Sequence, residues 1–119
     1  MPKYHSLLIR WNDGTFGVEF GSYDKSEVKY ERDSYEPQYE RKDLMIITTG
    51  DKQEQIQAKV DQINLEIMTD LADQLIEAGH TIVDLDARDR VILSEIGERT
   101  FHTAWSEDQE DWHTWEMKE

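Results

Sequence analysis

Apolar and polar residues alternate from residue 4 to residue 11, which puts His5, Leu7, Ile9 and Trp11 on one face of an extended segment. Asn12-Asp13-Gly14 then supplies a turn that tolerates positive φ, and Phe16, Val18 and Phe20 resume the alternation. The pattern predicts a β-hairpin whose core face carries Trp11, Phe16 and Phe20. Gly21-Ser22 breaks the second strand, and Asp24 follows as an N-cap, with Glu27 at the capping-box position and Tyr23 and Val28 spaced as a hydrophobic staple. A helix is expected over about 25 to 36, stopping before Pro37.

Residues 44 to 49 form a short apolar and β-branched run suited to a buried strand, and Gly50-Asp51 with Glu54 three residues on marks a second helix start. Ile56, Val60, Ile63, Ile67, Leu71 and Leu75 then recur in steps of three and four, with no proline or glycine before Gly79. One long helix ending at Gly79 accounts for them. Beyond it the period returns to two, and residues 81 to 86, 90 to 95 and 100 to 105 read as three strands of an antiparallel meander. Ser106, with Gln109 three residues later, is placed to cap a short terminal helix carrying Trp112 and Trp115 on one face.

The predicted fold class is therefore α+β: a ββαβ unit, a long central helix, a three-stranded antiparallel meander and a short acidic C-terminal helix. At 119 residues and 14.1 kDa, one domain over 1–119 is the expectation. Its parts are a near-neutral ββαβ unit over 1–50, the long helix over 51–79, the meander over 80–105 and the acidic, tryptophan-rich terminal helix over 106–119.

Charge sharpens this division. Thirteen Lys and Arg stand against 27 Asp and Glu, a formal net charge of -14. The balance is -2 over residues 1 to 50, -5 over 51 to 80 and -7 over 81 to 119. A surface this acidic repels phosphates and anionic lipid, which argues against direct binding of nucleic acid or membrane and for a partner with a basic or nucleic-acid-binding surface. With no cysteine there is no disulfide, thiolate nucleophile or thiolate-bound zinc, as suits a reducing compartment. The start, Met1-Pro2-Lys3-Tyr4-His5-Ser6, lacks the basic flank and apolar run of a secretory signal, so a cytoplasmic location is expected.

Several stretches carry a resemblance: Trp11, Gly14, residues 16–24 (Phe-Gly-Val-Glu-Phe-Gly-Ser-Tyr-Asp), residues 31–35 (Glu-Arg-Asp-Ser-Tyr) and residues 42–51 (Lys-Asp-Leu-Met-Ile-Ile-Thr-Thr-Gly-Asp). Over roughly residues 1–65 this half of the chain resembles small uncharacterised proteins of bacteriophages and prophages. The resemblance implies a phage-encoded protein acting in a bacterial host, and brings no activity, cofactor or catalytic residue with it.

The sequence offers no catalytic constellation. His5, His80, His102 and His113 include no H-E-x-x-H pair, and there is no nucleophile elbow or phosphate loop, so neither a catalytic residue, a metal ligand set nor a cofactor is expected. The two weaker groupings are Asp84 with Asp86, carboxylates two apart on one strand face, and His102 and His113 near Glu107, Asp108 and Asp111. The tryptophans say more. Trp105, Trp112 and Trp115 interleave with Glu107, Asp108, Glu110, Asp111 and Glu116; the indoles either pack the terminal helix onto the sheet or are exposed, and in the second case these eight residues form the candidate partner-binding set.

The function expected is a non-catalytic, acidic protein-binding module, a phage-encoded inhibitor or modulator of a host protein, of which anti-defence activity or imitation of the DNA backbone is one form. The alternatives are a small metal-assisted hydrolase using Asp84, Asp86 and a histidine, and a minor virion structural or assembly protein. A homodimer through the long-helix stripe of Ile67, Leu71 and Leu75 is also expected.

Overall fold

The computed structural model describes residues 2–36 and 38–118; Pro37, the expected stop of the first helix, lies outside them. The elements in order are β1 (Lys3–Arg10), β2 (Phe16–Ser22), α1 (Lys25–Ser34), a 3-10 turn (Arg41–Asp43), β3 (Leu44–Gly50), α2 (Gln53–Glu77), β4 (Thr81–Asp86), β5 (Val91–Ile96), β6 (Arg99–Ser106) and β7 (Asp111–Met117). The strands form two antiparallel sheets, ordered β2-β1-β3 and β4-β5-β6-β7. The chain divides into two compact units between Val60 and Asp61, within α2. The predicted α+β arrangement of one long central helix, a three-stranded meander and a terminal helix is corrected accordingly: among the described residues there are two sheets and two α-helices, the second sheet has four strands, and residues 111–117 are strand.

In the first unit β1 is the middle strand, pairing with β2 on one side and β3 on the other, and all four positions from Ser6 to Ile9 are buried. Leu7, Ile9 and Leu44 meet Val28 of α1, with Phe20, Tyr35 and Ile46 packed around them. The register slips between Leu7 and Leu8, so that Leu7 faces Phe20 while Leu8 faces Val18 and Glu19 is the extra residue of a bulge. That extra residue inverts the alternation of β2. Phe20 therefore lies with Leu7 over α1, whereas Phe16, opposite Arg10, is buried on the other face of the sheet. The expected common core face of Trp11, Phe16 and Phe20 does not form. Trp11 lies beyond the end of β1, is 39 % exposed, and lays its indole over Gly17, where a Cβ would overlap the ring.

Asp24 caps α1, its Oδ1 accepting from the Ser26 N–H at 2.9 Å. The capping box is relayed: the Asp24 N–H donates to Ser22 Oγ, which donates to Glu27 Oε2. At the start of α2 the cap is displaced from the Gly50-Asp51 position expected. Gln55 Oε1 reaches back to the Lys52 N–H, while Asp51 accepts from the Tyr23 hydroxyl.

The buried line of α2 runs through Ile56, Val60, Asn64, Met68 and Ala72, steps of four that advance about 40° each round the helix. Ile63, Ile67, Leu71 and Leu75, expected at the centre of the stripe, flank this line half-buried. The helix ends at Gly79, whose φ of +103° permits a Schellman cap: His80 N–H to Leu75 C=O at 2.9 Å and Gly79 N–H to Ile76 C=O at 3.0 Å.

In the second unit Met68, Ala72 and Ile92 are the buried centre, with Leu71, Leu75, Ile82, Leu85, Ala87 and Trp112 against them. Leu71 and Leu75, two residues of the stripe expected to meet a second copy, pack half-buried against this cluster. Arg88 ties the β4–β5 loop to α2 by donating to Asp61 Oδ2 from Nη2 at 2.9 Å and Nε at 3.2 Å. A second bulge, at Val83, lets Ile82 and Leu85 both face the helix although they are three apart in a strand.

Candidate protein-binding surface

The residues read as a terminal acidic helix are half of a hairpin. Ser106 Oγ does accept the Gln109 N–H, at 3.3 Å, but this contact helps close the four-residue turn Glu107–Glu110 between the paired residues Ser106 and Asp111. The aromatic and β-branched content of residues 112 to 115 suits a pleated strand, and β6 supplies cross-strand partners along its length. Trp105 meets Trp112 edge-on at 6.2 Å, Thr103 Oγ1 lies 2.8 Å from Thr114 Oγ1, and His102 stacks on Trp115 at 5.7 Å.

Strand geometry splits the candidate set. Trp112 and Trp115, expected on one helix face, lie on opposite faces of the sheet because three residues along a strand reverse the side. Trp105, Trp112 and Glu116 are on the α2 side, where Trp112 packs on the Met68–Ala72–Ile92 cluster. Glu116 is neutralised there by Arg99, with Nε 2.8 Å from Oε1 and Nη2 2.9 Å from Oε2, and these hydrogen bonds hold its carboxyl below the usual range. Glu107, Asp108 and Glu110 are exposed at the hairpin tip, and Glu110 takes a left-handed φ of +51°.

The opposite face of the four-stranded sheet is the open one. Trp115, 40 % exposed, stands between His102 and His113, the latter ring edge-on at 4.8 Å. Leu93 lies beside His102 in the register, Met117 extends the row and is 51 % exposed, and the bulge residue Val83 is 55 % exposed. Asp84, Asp86, Glu95 and Asp111 surround this apolar centre on the same face. Among the described residues no Lys or Arg occupies a strand position of that face, so its negative field is not cancelled within the face. Such a combination, an aromatic and aliphatic centre rimmed by like charge, is the composition of an interface that is steered by charge and held by a few apolar anchors.

Asp84 and Asp86 do share a face, as two-apart strand residues should, because the Val83 bulge precedes both. Asp86 is engaged locally, its Oδ1 accepting the Arg88 and Asp89 N–H groups at 3.0 Å each as an Asx turn. The neighbouring Arg88 guanidinium is engaged by Asp61. Among the described residues no three of His, Cys, Asp and Glu gather closely enough to hold a metal ion, which covers both groupings raised from the sequence.

Leu93, His113 and Met117 did not enter the candidate set, because a helical reading of 106–119 dissolves the row they form. The signal that finds them is the two-residue period of His113, Trp115 and Met117 set opposite that of Thr100, His102 and Ala104. In the first unit, a shallow depression of about 390 Å³ beside α1 is lined by Phe20, Ser26, Glu27, Tyr30 and Glu31. No described helix is long and apolar enough to cross a membrane. No protein-family model, no curated protein and no solved structure matches the chain.

Proposed function

We propose that the chain is a non-catalytic, acidic protein-binding module that a bacteriophage or prophage encodes to inhibit or modulate a host protein in the bacterial cytoplasm. The observation that carries this reading is the open face of the second sheet, where Trp115, His102 and Leu93 sit within a rim of Asp84, Asp86, Glu95 and Asp111. A partner with a basic surface is drawn in by the rim and by the tip carboxylates Glu107, Asp108 and Glu110, and is retained by apolar contact with the indole. Host proteins that bind nucleic acid present such surfaces. The phage origin is supported by the resemblance of residues 1–65.

The test is affinity capture from bacterial lysate with three baits: the wild type, Trp115→Ala, and a variant with Glu107, Asp108, Glu110 and Asp111 changed to Gln or Asn. A partner held by the wild type, lost by Trp115→Ala and bound more slowly by the neutralised variant, with affinity falling as salt rises, is expected. A partner captured equally by all three baits would sink this reading. So would metal-dependent turnover of a nucleic acid or phosphoester that Asp84→Ala abolishes.

A further inference from the structure

The second sheet has two edges of different character. The β4 edge is interrupted by the Val83 bulge and carries Asp84 and Asp86, devices that blunt strand addition. The β7 edge is regular from Asp111 to Met117 and contains no Lys and no Pro. Its backbone orientation follows from one hydrogen bond: the Trp112 N–H donates to the Asp111 carboxylate at 2.8 Å, so it points away from β6. Strand alternation then turns the N–H and C=O of Thr114 and Glu116 outward as well. A regular edge with outward backbone groups is a template for another strand.

We propose that this edge pairs with the same edge of a second copy, antiparallel, about a two-fold axis at Thr114. The register follows from the charges. With Thr114 opposite itself, Glu110 falls opposite Lys118 of the second copy, His113 opposite its Trp115 and Asp111 opposite its Met117, so no like charges face each other. Moving the axis to His113 sets Glu110 against Glu116 of the second copy, carboxylate against carboxylate. The axis at Thr114 therefore yields an eight-stranded sheet with both open faces on one side, doubling the partner surface. This pairing rests on the β7 edge and stands whether or not the proposed partner exists. Two copies each of charge -14 repel, so the dimer tightens as salt rises, opposite in sign to the binding of a basic partner.

Sedimentation equilibrium of the purified full chain tests it, run from low micromolar to several hundred micromolar in roughly 0.05 to 0.5 M NaCl. A dimer that strengthens with salt is expected. Thr114→Pro, which removes an outward N–H at an edge position where proline is tolerated, and Met117→Lys should both return it to monomer with the circular dichroism unchanged. Lys118→Glu should weaken it on the order of tenfold, and adding Glu110→Lys to that variant should restore it. If Thr114→Pro does not fold, Met117→Lys and the charge exchange decide. A monomer at every concentration and salt overturns the proposal, as does a dimer that both Met117→Lys and Lys118→Glu leave intact.

Discussion

Trp112 and Trp115 stand on opposite sides of one strand, the first packed on the Met68–Ala72–Ile92 cluster and the second stacked on His102 at the open face. Removing them should have different effects. Trp112→Ala is expected to destabilise the fold by about 2 kcal/mol, less than the roughly 3 to 5 typical of a fully buried indole because Trp112 is only half-buried. Trp115→Ala should leave the thermal midpoint nearly unchanged while speeding dissociation of a bound partner. Thermal unfolding of both variants, followed by dissociation kinetics with the captured partner, separates the two roles.

Glu110 holds φ at +51° with a Cβ in place, a conformation that costs a non-glycine residue about 1 kcal/mol or more. Glu110→Gly removes that cost and adds unfolded-state entropy that takes back part of the gain. A net stabilisation of about 0.5 kcal/mol is expected in denaturant unfolding, and a clear loss of stability would show that the turn depends on this side chain.

Ser6 is fully buried, and its Oγ has no hydrogen-bond partner among the described residues. A buried hydroxyl left unsatisfied carries a desolvation penalty, so Ser6→Ala should raise stability by about 1 kcal/mol in denaturant unfolding. Destabilisation of similar size would mean that the hydroxyl is satisfied.

Asp24 and Glu116 both titrate below their ordinary carboxyl values, Asp24 because the Ser26 hydroxyl and N–H donate to it and Glu116 because Arg99 does. Each binds its proton more weakly in the folded than in the unfolded chain. Their stabilisation is accordingly complete above the ordinary carboxylate pKa and disappears as pH falls through the lowered folded values. Unfolding midpoints measured from neutral to acid pH should drop in the wild type, and drop less steeply in an Asp24→Asn, Glu116→Gln double variant. Identical slopes for the two would contradict the assignment.

What could be read from residue order alone was whatever local chemistry controls. The β1–β2 hairpin follows from alternation around Asn12-Asp13-Gly14, the first helix from Asp24, and the end of α2 from Gly79. What could not be read depends on partners distant in sequence. Ser106 and Gln109 make the same local contact in a helix cap and in this turn, and only the pairing of Trp112, Thr114 and Trp115 with β6 selects strand. Asn64, a polar residue outside the predicted apolar stripe, is buried, so the buried line of α2 is displaced from that stripe. Of the candidate set, the residue types were legible but the division between two faces was not, because that requires knowing the residue period.

The two bulges, Glu19 and Val83, behave like shifts of a reading frame. Each is one residue that decides which side every later residue of its strand occupies: Phe20 in one case, Asp84, Leu85 and Asp86 in the other. Neither side chain is buried: Glu19 and Val83 are both exposed, and Glu19 makes one surface contact, accepting from the Tyr35 hydroxyl at 3.1 Å. Tolerance at these sites should therefore be lopsided. Almost any substitution is absorbed, whereas deleting a single residue exchanges inside for outside along half a strand, and natural variants of this chain should vary there in identity but not in length.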